Sequence, residues 1–175
     1  MLHESFILCF GVNDDIIVEK SNGGITLELI VKHFSDLTAR ELFEIYKLRI
    51  DVFVVEQNCP YRDVDDADTA AYHVWLQDDD GIEAYLRVLP AGATFDEVSI
   101  GRVIAVKRRQ GLGTRIVDAG ISVAQEKFNA EKIEIEAQTY ARALYEKLGF
   151  VQVGDEFLED GIPHIPMMWS AAKDD

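Results

Sequence analysis

The sequence predicts an α/β fold of the mixed α+β kind: a mostly antiparallel sheet with a central parallel β-α-β crossover and helices on both faces. Two observations carry this. Residues 99–138 run as an apolar strand, SIGRVIAV, then a helix with one apolar face, then a second strand, KIEIEAQ. Strands joined through a helix are parallel, with a right-handed crossover. Hairpin patterns flank that unit. AYHVWLQ and IEAYLRVLP meet through DDDG before it, and FVQVGDEF and HIPMMWS read as a closing hairpin after it.

Taken in order, SFILCF and DIIVEK read as two short strands joined by a Gly-Asn-Asp turn, followed by the boundary SNGG. Residues 1–24 are therefore expected to be an N-terminal extension, a candidate β-hairpin, ahead of a single domain at 25–175. ITLELIVK alternates as a half-buried strand. Thr38 and Glu41 have the spacing of a capping box, and the helix after them carries Leu42, Ile45, Tyr46 and Leu48 inward before running into IDVFVVEQ. The stretch NCPYRDVDDADTA reads as a solvated acidic loop. VSIGRVIAV suits a central strand buried on both faces. A helix over 111–128 places Ile116, Val117, Gly120, Val123 and Ala124 on one face, and YARALYEKLGF is a helix that stops at Gly149.

The chain carries a formal net charge of −15 and a pI near 4.6. That balance disfavours nucleic acid and anionic lipid as partners and suits a cationic or amine ligand. Two cysteines, Cys9 and Cys59, make no disulfide framework, and FILCF lacks the flanks of a signal peptide. A cytoplasmic protein is expected, without a membrane span. His73, His164 and Cys59 match no zinc spacing, so no metal is expected.

Against this acidity, KRRQGLGTR at 107–115 concentrates basic residues around two glycines where a buried strand gives way to a helix. The first amides of a helix lack internal partners and carry partial positive charge, and glycines let backbone approach a phosphate closely. The stretch is neither a Walker loop nor a dinucleotide fingerprint, because no Gly-Lys-Ser/Thr follows and a third glycine is missing.

Arg108-x-x-Gly111-x-Gly113 resembles the acetyl-CoA pyrophosphate loop of the GNAT N-acetyltransferases, and ALYEKLGF at 143–150 resembles a later motif of that superfamily. RIDVFVVEQNCPY, DVDDAD, SIGRVIAV and EDGIPHIPM narrow the resemblance to its ElaA-type branch, over roughly residues 25–170. The resemblance implies an acyl-CoA-dependent N-acyltransferase that moves acetyl from acetyl-CoA, its cosubstrate, to a primary amine by direct attack in a ternary complex. The amine acceptor would be a small molecule or a peptide, and a homodimer is among the expected states. Readings from other classes are a non-catalytic acyl-CoA-binding or sensing module, and an interaction protein whose acidic loop binds basic partners.

By the same resemblance, Arg108, Arg109, Gln110, Gly111, Leu112, Gly113 and Thr114 hold the pyrophosphate, and pantetheine pairs with backbone near Ile104 and Val106. Gln138, which stands where many members have asparagine, is a further candidate for cofactor binding. Tyr145 is the expected general acid for the leaving thiolate. An alkyl amine is only about 0.04% neutral at pH 7, so a base or water chain must take its proton. Glu136, beside the expected cleft, is the candidate base, with Glu56, Glu159, Asp160 and His164 as rivals. Glu56, Tyr61, His73, Asp160 and His164 are candidate acceptor-binding residues, and Trp75, Tyr61 and Tyr72 candidate pocket aromatics.

Overall fold

The structure, a computed structural model, describes residues 16–20 and 26–172. Among the described residues, nine strands form one sheet in the order β1-β2-β3-β4-β5-β6-β9-β7, with β8 also paired to β9. They are β1 (Ile16–Lys20), β2 (Thr26–His33), β3 (Tyr72–Asp78), β4 (Gly81–Leu89), β5 (Val98–Ala105), β6 (Lys132–Gln138), β7 (Val151–Gln152), β8 (Phe157–Glu159) and β9 (Ile162–Ser170). The helices are α1 (Ala39–Arg49), α2 (Leu112–Phe128) and α3 (Arg142–Lys147). β1 pairs antiparallel with β2, so the segment expected to belong to an extension supplies an edge strand. Its expected hairpin partner, SFILCF, lies outside the described residues.

Every pairing is antiparallel except β5 with β6, joined by the α2 crossover. Alternation along the strands gives each face its own core. Leu29, Val31, Val74, Leu76, Leu86 and Val88 pack under Ile116, Val117, Val123 and Ala124 of α2. On the other face Ile30, Trp75, Tyr85 and Ile104 pack under Ile45 of α1. Trp75 is thus core and not a pocket aromatic, while Tyr72 packs edge-on against Phe128. At Gly120 a Cβ would fall 2.8 Å from Leu86 Cδ2, so only glycine allows α2 this close to the sheet.

Three local devices shape the site. The capping box forms: the Glu41 N–H donates to Thr38 Oγ1 at 3.2 Å, and the Thr38 N–H donates to Glu41 Oε2 at 2.8 Å. Beyond α1 the chain winds through wide turns over Ile50–Glu56, with the N–H of Gln57 donating to the Val52 carbonyl and that of Cys59 to the Val54 carbonyl. Such i→i+5 turns cluster at functional sites. In β5 the register slips: Tyr85 lies opposite Ile104 but Arg87 opposite Gly101, so β5 holds one extra residue. Arg102, with φ 55°, lies in that bulge.

A bulge bends and twists its strand. β5 and β6 accordingly pair only at Val98–Ile133 and Ser99–Glu134, and beyond that point they diverge. The strand expected to be buried on both faces instead leaves Gly101, Arg102 and Val103 half exposed along an open wedge.

Candidate active site

The wedge opens into a cavity of about 590 Å³, lined on one side by Gly101, Val103 and Ala105 and on the other by Ile135, Ala137 and Gln138. The N–H of Val106 donates to the Glu83 carbonyl of β4 at 2.9 Å, so that amide is committed within the sheet. Peptide groups alternate sides along an antiparallel strand. Ile104, opposite Tyr85, therefore also faces β4, and Val103 and Ala105 turn their N–H and C=O groups toward the wedge. The backbone groups left open on the wedge side are therefore those of Val103 and Ala105, and not those of Ile104 and Val106. The side chain of Ile104 is buried in the α1-side core, and Val106 is exposed.

At the end of β5 the basic loop turns into α2. Arg109 (φ 62°) and Gly111 (φ 79°) are both left-handed, and Gly111 caps α2 with no side-chain hydrogen bond. The first bond into the helix runs from the Arg115 N–H to the Gly111 carbonyl at 3.1 Å. Alternating backbone handedness ahead of a bare helix start turns successive N–H groups into one concavity suited to an anion. Much of the side-chain charge is already matched. Lys107 Nζ lies 2.7 Å from Glu83 Oε1, and the Arg108 guanidinium pairs with Glu56. Glu56 is thus placed at the loop as the partner of Arg108. The Arg108 and Gly113 side of the loop borders the cavity.

Tyr145 of α3 lines the cavity and packs ring edge to ring face against Phe150. Tyr145 is 7% exposed, and its hydroxyl has no protein hydrogen-bond partner among the described residues. Burial, with a smaller contribution from Tyr140, pushes its phenol above the usual range, so it stays protonated. Gln138 donates through Nε2 to Gln57 Oε1 at 3.2 Å, bridging β6 to the turn after α1. Across the mouth stand Glu136, Glu159, Asp160 and His164, with the Cys59 thiol donating to the Asp160 carbonyl at 3.9 Å. Burial, then the charge of Glu159, raises the Glu136 carboxyl above its ordinary value.

The acidic loop is not a solvated run. Asp63 and Asp68 are buried, as are Arg49 and Arg87. Arg49 Nε donates to Asp63 Oδ2 at 2.8 Å and its Nη1 to Asp68 Oδ1 at 2.7 Å. Arg87 bonds Asp65 through both Nη1 (2.7 Å) and Nη2 (2.9 Å), and Arg102 Nε lies 2.8 Å from Asp63 Oδ1. Although burial alone would raise Asp65 and Asp68, these arginines hold both carboxyls below their ordinary value. Three arginines balance three aspartates, leaving this wall near neutral. The expectation failed because the counterions come from α1, β4 and β5, far along the chain. Tyr61 lines the cavity and donates to Asp63 Oδ1 at 2.9 Å, beneath Arg102. His73 is wholly buried behind the network and does not line the cavity, which removes it from the acceptor-binding set. Arg87 and Arg102 were missed as wall residues, since nothing local marks a buried arginine; the excess of aspartates nearby was the available signal.

A model of the acetyltransferase (GNAT) domain matches residues 48–171. A UPF0039 protein of Schizosaccharomyces pombe is 38% identical over 145 residues, covering 81% of this chain and 95% of that protein. Among solved structures, an acyl-CoA N-acyltransferase from Pseudomonas aeruginosa superposes with TM-score 0.76 at 37% identity, covering 81% of this chain and 99% of the other. Escherichia coli ElaA superposes with TM-score 0.77 at 32% identity, covering 82% and 99%. With the splayed β5–β6 pair, the bare glycine-led start of α2 and the buried Tyr145 already in place, these matches put the chain in the GNAT acetyltransferase family.

Proposed function

We propose that this acyltransferase moves an acetyl group from acetyl-CoA to a primary amine by direct attack in a ternary complex. The supporting observation is that a single cavity is lined by Arg108 and Gly113 at the basic loop, by Val103 and Ala105 of β5, and by Tyr145 and Glu136. The diphosphate fits the concavity at 109–114, and pantetheine lies along β5 as an added strand. A β5 N–H in the wedge polarises the thioester carbonyl and holds the oxyanion of the tetrahedral intermediate. The amine enters from the Glu136 and Glu159 side. Collapse of the intermediate breaks the C–S bond, and the Tyr145 phenol protonates the departing thiolate. The Cys59 thiol donates its hydrogen to the Asp160 carbonyl at the cavity wall, and no acyl-enzyme is invoked.

The test is release of free thiol from acetyl-CoA against a panel of primary amines. Tyr145→Phe should lower kcat on the order of 10²-fold while the Kd for acetyl-CoA stays nearly unchanged. Acetyl-CoA binding without thiol release for any amine would instead favour the non-catalytic acyl-CoA-binding module.

A further inference from the structure

Resting on the acyl-transfer reading above, we propose that His164 is the general base that deprotonates the acceptor ammonium, with Glu159 holding the imidazolium that forms. His164 lies on β9, opposite Gln138 of β6 and Phe157 of β8, and it borders the same cavity as Tyr145. Its Nδ1 lies 2.8 Å from the Ile162 carbonyl. A carbonyl only accepts, so Nδ1 carries the hydrogen and Nε2 carries the lone pair. Nε2 makes no hydrogen bond among the described residues, and Glu159 Oε2 lies 3.7 Å from it. The Phe157 ring stacks on the imidazole with centroids 6.0 Å apart.

The result is an imidazole of fixed tautomer, 7% exposed, at the wall of the cavity that Tyr145 also lines, with a carboxylate beside it. A base, its orienting group and a stabilising anion are the parts that proton abstraction requires. The charged groups around it are Glu159 of β8, Asp160 of the β8–β9 turn and Glu136 of β6. Glu136 and Glu159 attract the ammonium, but a carboxylate is a poor acceptor for the proton of an amine titrating near ~10.4, and an imidazole is a better one at neutral pH. In the step, an ammonium N–H bond breaks and an Nε2–H bond forms. The freed lone pair then makes the C–N bond, and the C–S bond breaks when the tetrahedral intermediate collapses. Two protons leave nitrogen in all and one ends on sulfur, so one passes through His164 to solvent in each turnover.

The experiment compares kcat/KM of wild type, His164→Gln, Glu159→Gln and Glu136→Gln across pH. It uses acetyl-CoA with two acceptors, an alkyl amine and a peptide α-amine titrating near ~7.7–8.0. His164→Gln should lose on the order of 10²-fold with the alkyl amine at pH 7. The loss should shrink as pH approaches the amine's own pKa, and it should be smaller throughout for the peptide α-amine. Glu159→Gln, which removes the carboxylate 3.7 Å from Nε2, should lower kcat/KM for the alkyl amine by less than His164→Gln does. Equal loss at every pH with both acceptors would overturn the proposal and leave His164 a structural residue. So would a larger loss in Glu159→Gln than in His164→Gln, or rescue by pH that follows Glu136→Gln instead. Thiol release by the wild type tests the acyl-transfer reading separately.

Discussion

His73 is held in one tautomer by its two neighbours. Nε2, 3.2 Å from the Asp68 carbonyl, must donate, and Nδ1, 2.8 Å from the Tyr85 hydroxyl, accepts. Burial pushes its pKa from 6.5 down to about 4. Between those two values the unfolded chain binds a proton that the native one refuses. Native stability is therefore whole above 6.5 and declines as pH falls through this window, by on the order of 2 kcal/mol at pH 5. The Tm of the wild type should drop between pH 7 and pH 5, and His73→Gln should flatten that slope even if its Tm at pH 7 is lower. The depressed Asp65 and Asp68 act in a different window, their contribution being lost only as pH falls below their ordinary value of 3.8. A slope that persists in His73→Gln would place the proton uptake elsewhere.

At the scale of elements, α2 is fixed at two points. Gly120 sets its distance from the sheet, through the close approach to Leu86, and Gly111 sets where it begins. With φ 79°, Gly111 occupies a conformation that L residues avoid, although a Cβ there would meet nothing within 4 Å. Gly111→Val therefore acts through backbone strain rather than collision, on the order of 1–2 kcal/mol. The helix can relieve that strain by reshaping its first turn, which would disperse the converging N–H groups. Calorimetry with acetyl-CoA should show affinity falling at least tenfold in Gly111→Val, with Tm reduced by only a few degrees. Unchanged affinity in the folded variant would remove the loop from the diphosphate site.

Across the whole molecule, the −15 charge bears on the proposed reaction, whose amine and CoA ester are opposite in sign. The Arg49, Arg87 and Arg102 network cancels the aspartates behind the cavity, so the field at the mouth comes from Glu136, Glu159 and Asp160. A cationic acceptor is drawn in and a polyanionic CoA ester is repelled at long range. Both effects fade once the Debye length drops below the ~8 Å of physiological salt. Raising ionic strength should lower kcat/KM for the amine and raise it for acetyl-CoA. A fall for both would mean that local attraction at the basic loop outweighs the global repulsion.

The order of elements was legible because its signals are local. The Thr38–Glu41 box, the apolar face of α2, the turn between β3 and β4 and the crossover are each written within a few residues of where they act, as are the glycines of the basic loop. Tyr145 was singled out by the resemblance of ALYEKLGF, and the structure places it in the lining of the cavity. Only the tertiary structure decided what depends on partners distant in the chain. DVDDAD reads as solvent-facing until Arg49, Arg87 and Arg102 arrive from three other elements, because burial of a charge depends on its counterion and not on its neighbours in sequence. Which β5 amides face the wedge rests on the single extra residue at Arg102, and a one-residue slip reverses every assignment after it. The tautomer of His164 is likewise set by a carbonyl two residues back only once β8 and β9 have folded into their hairpin.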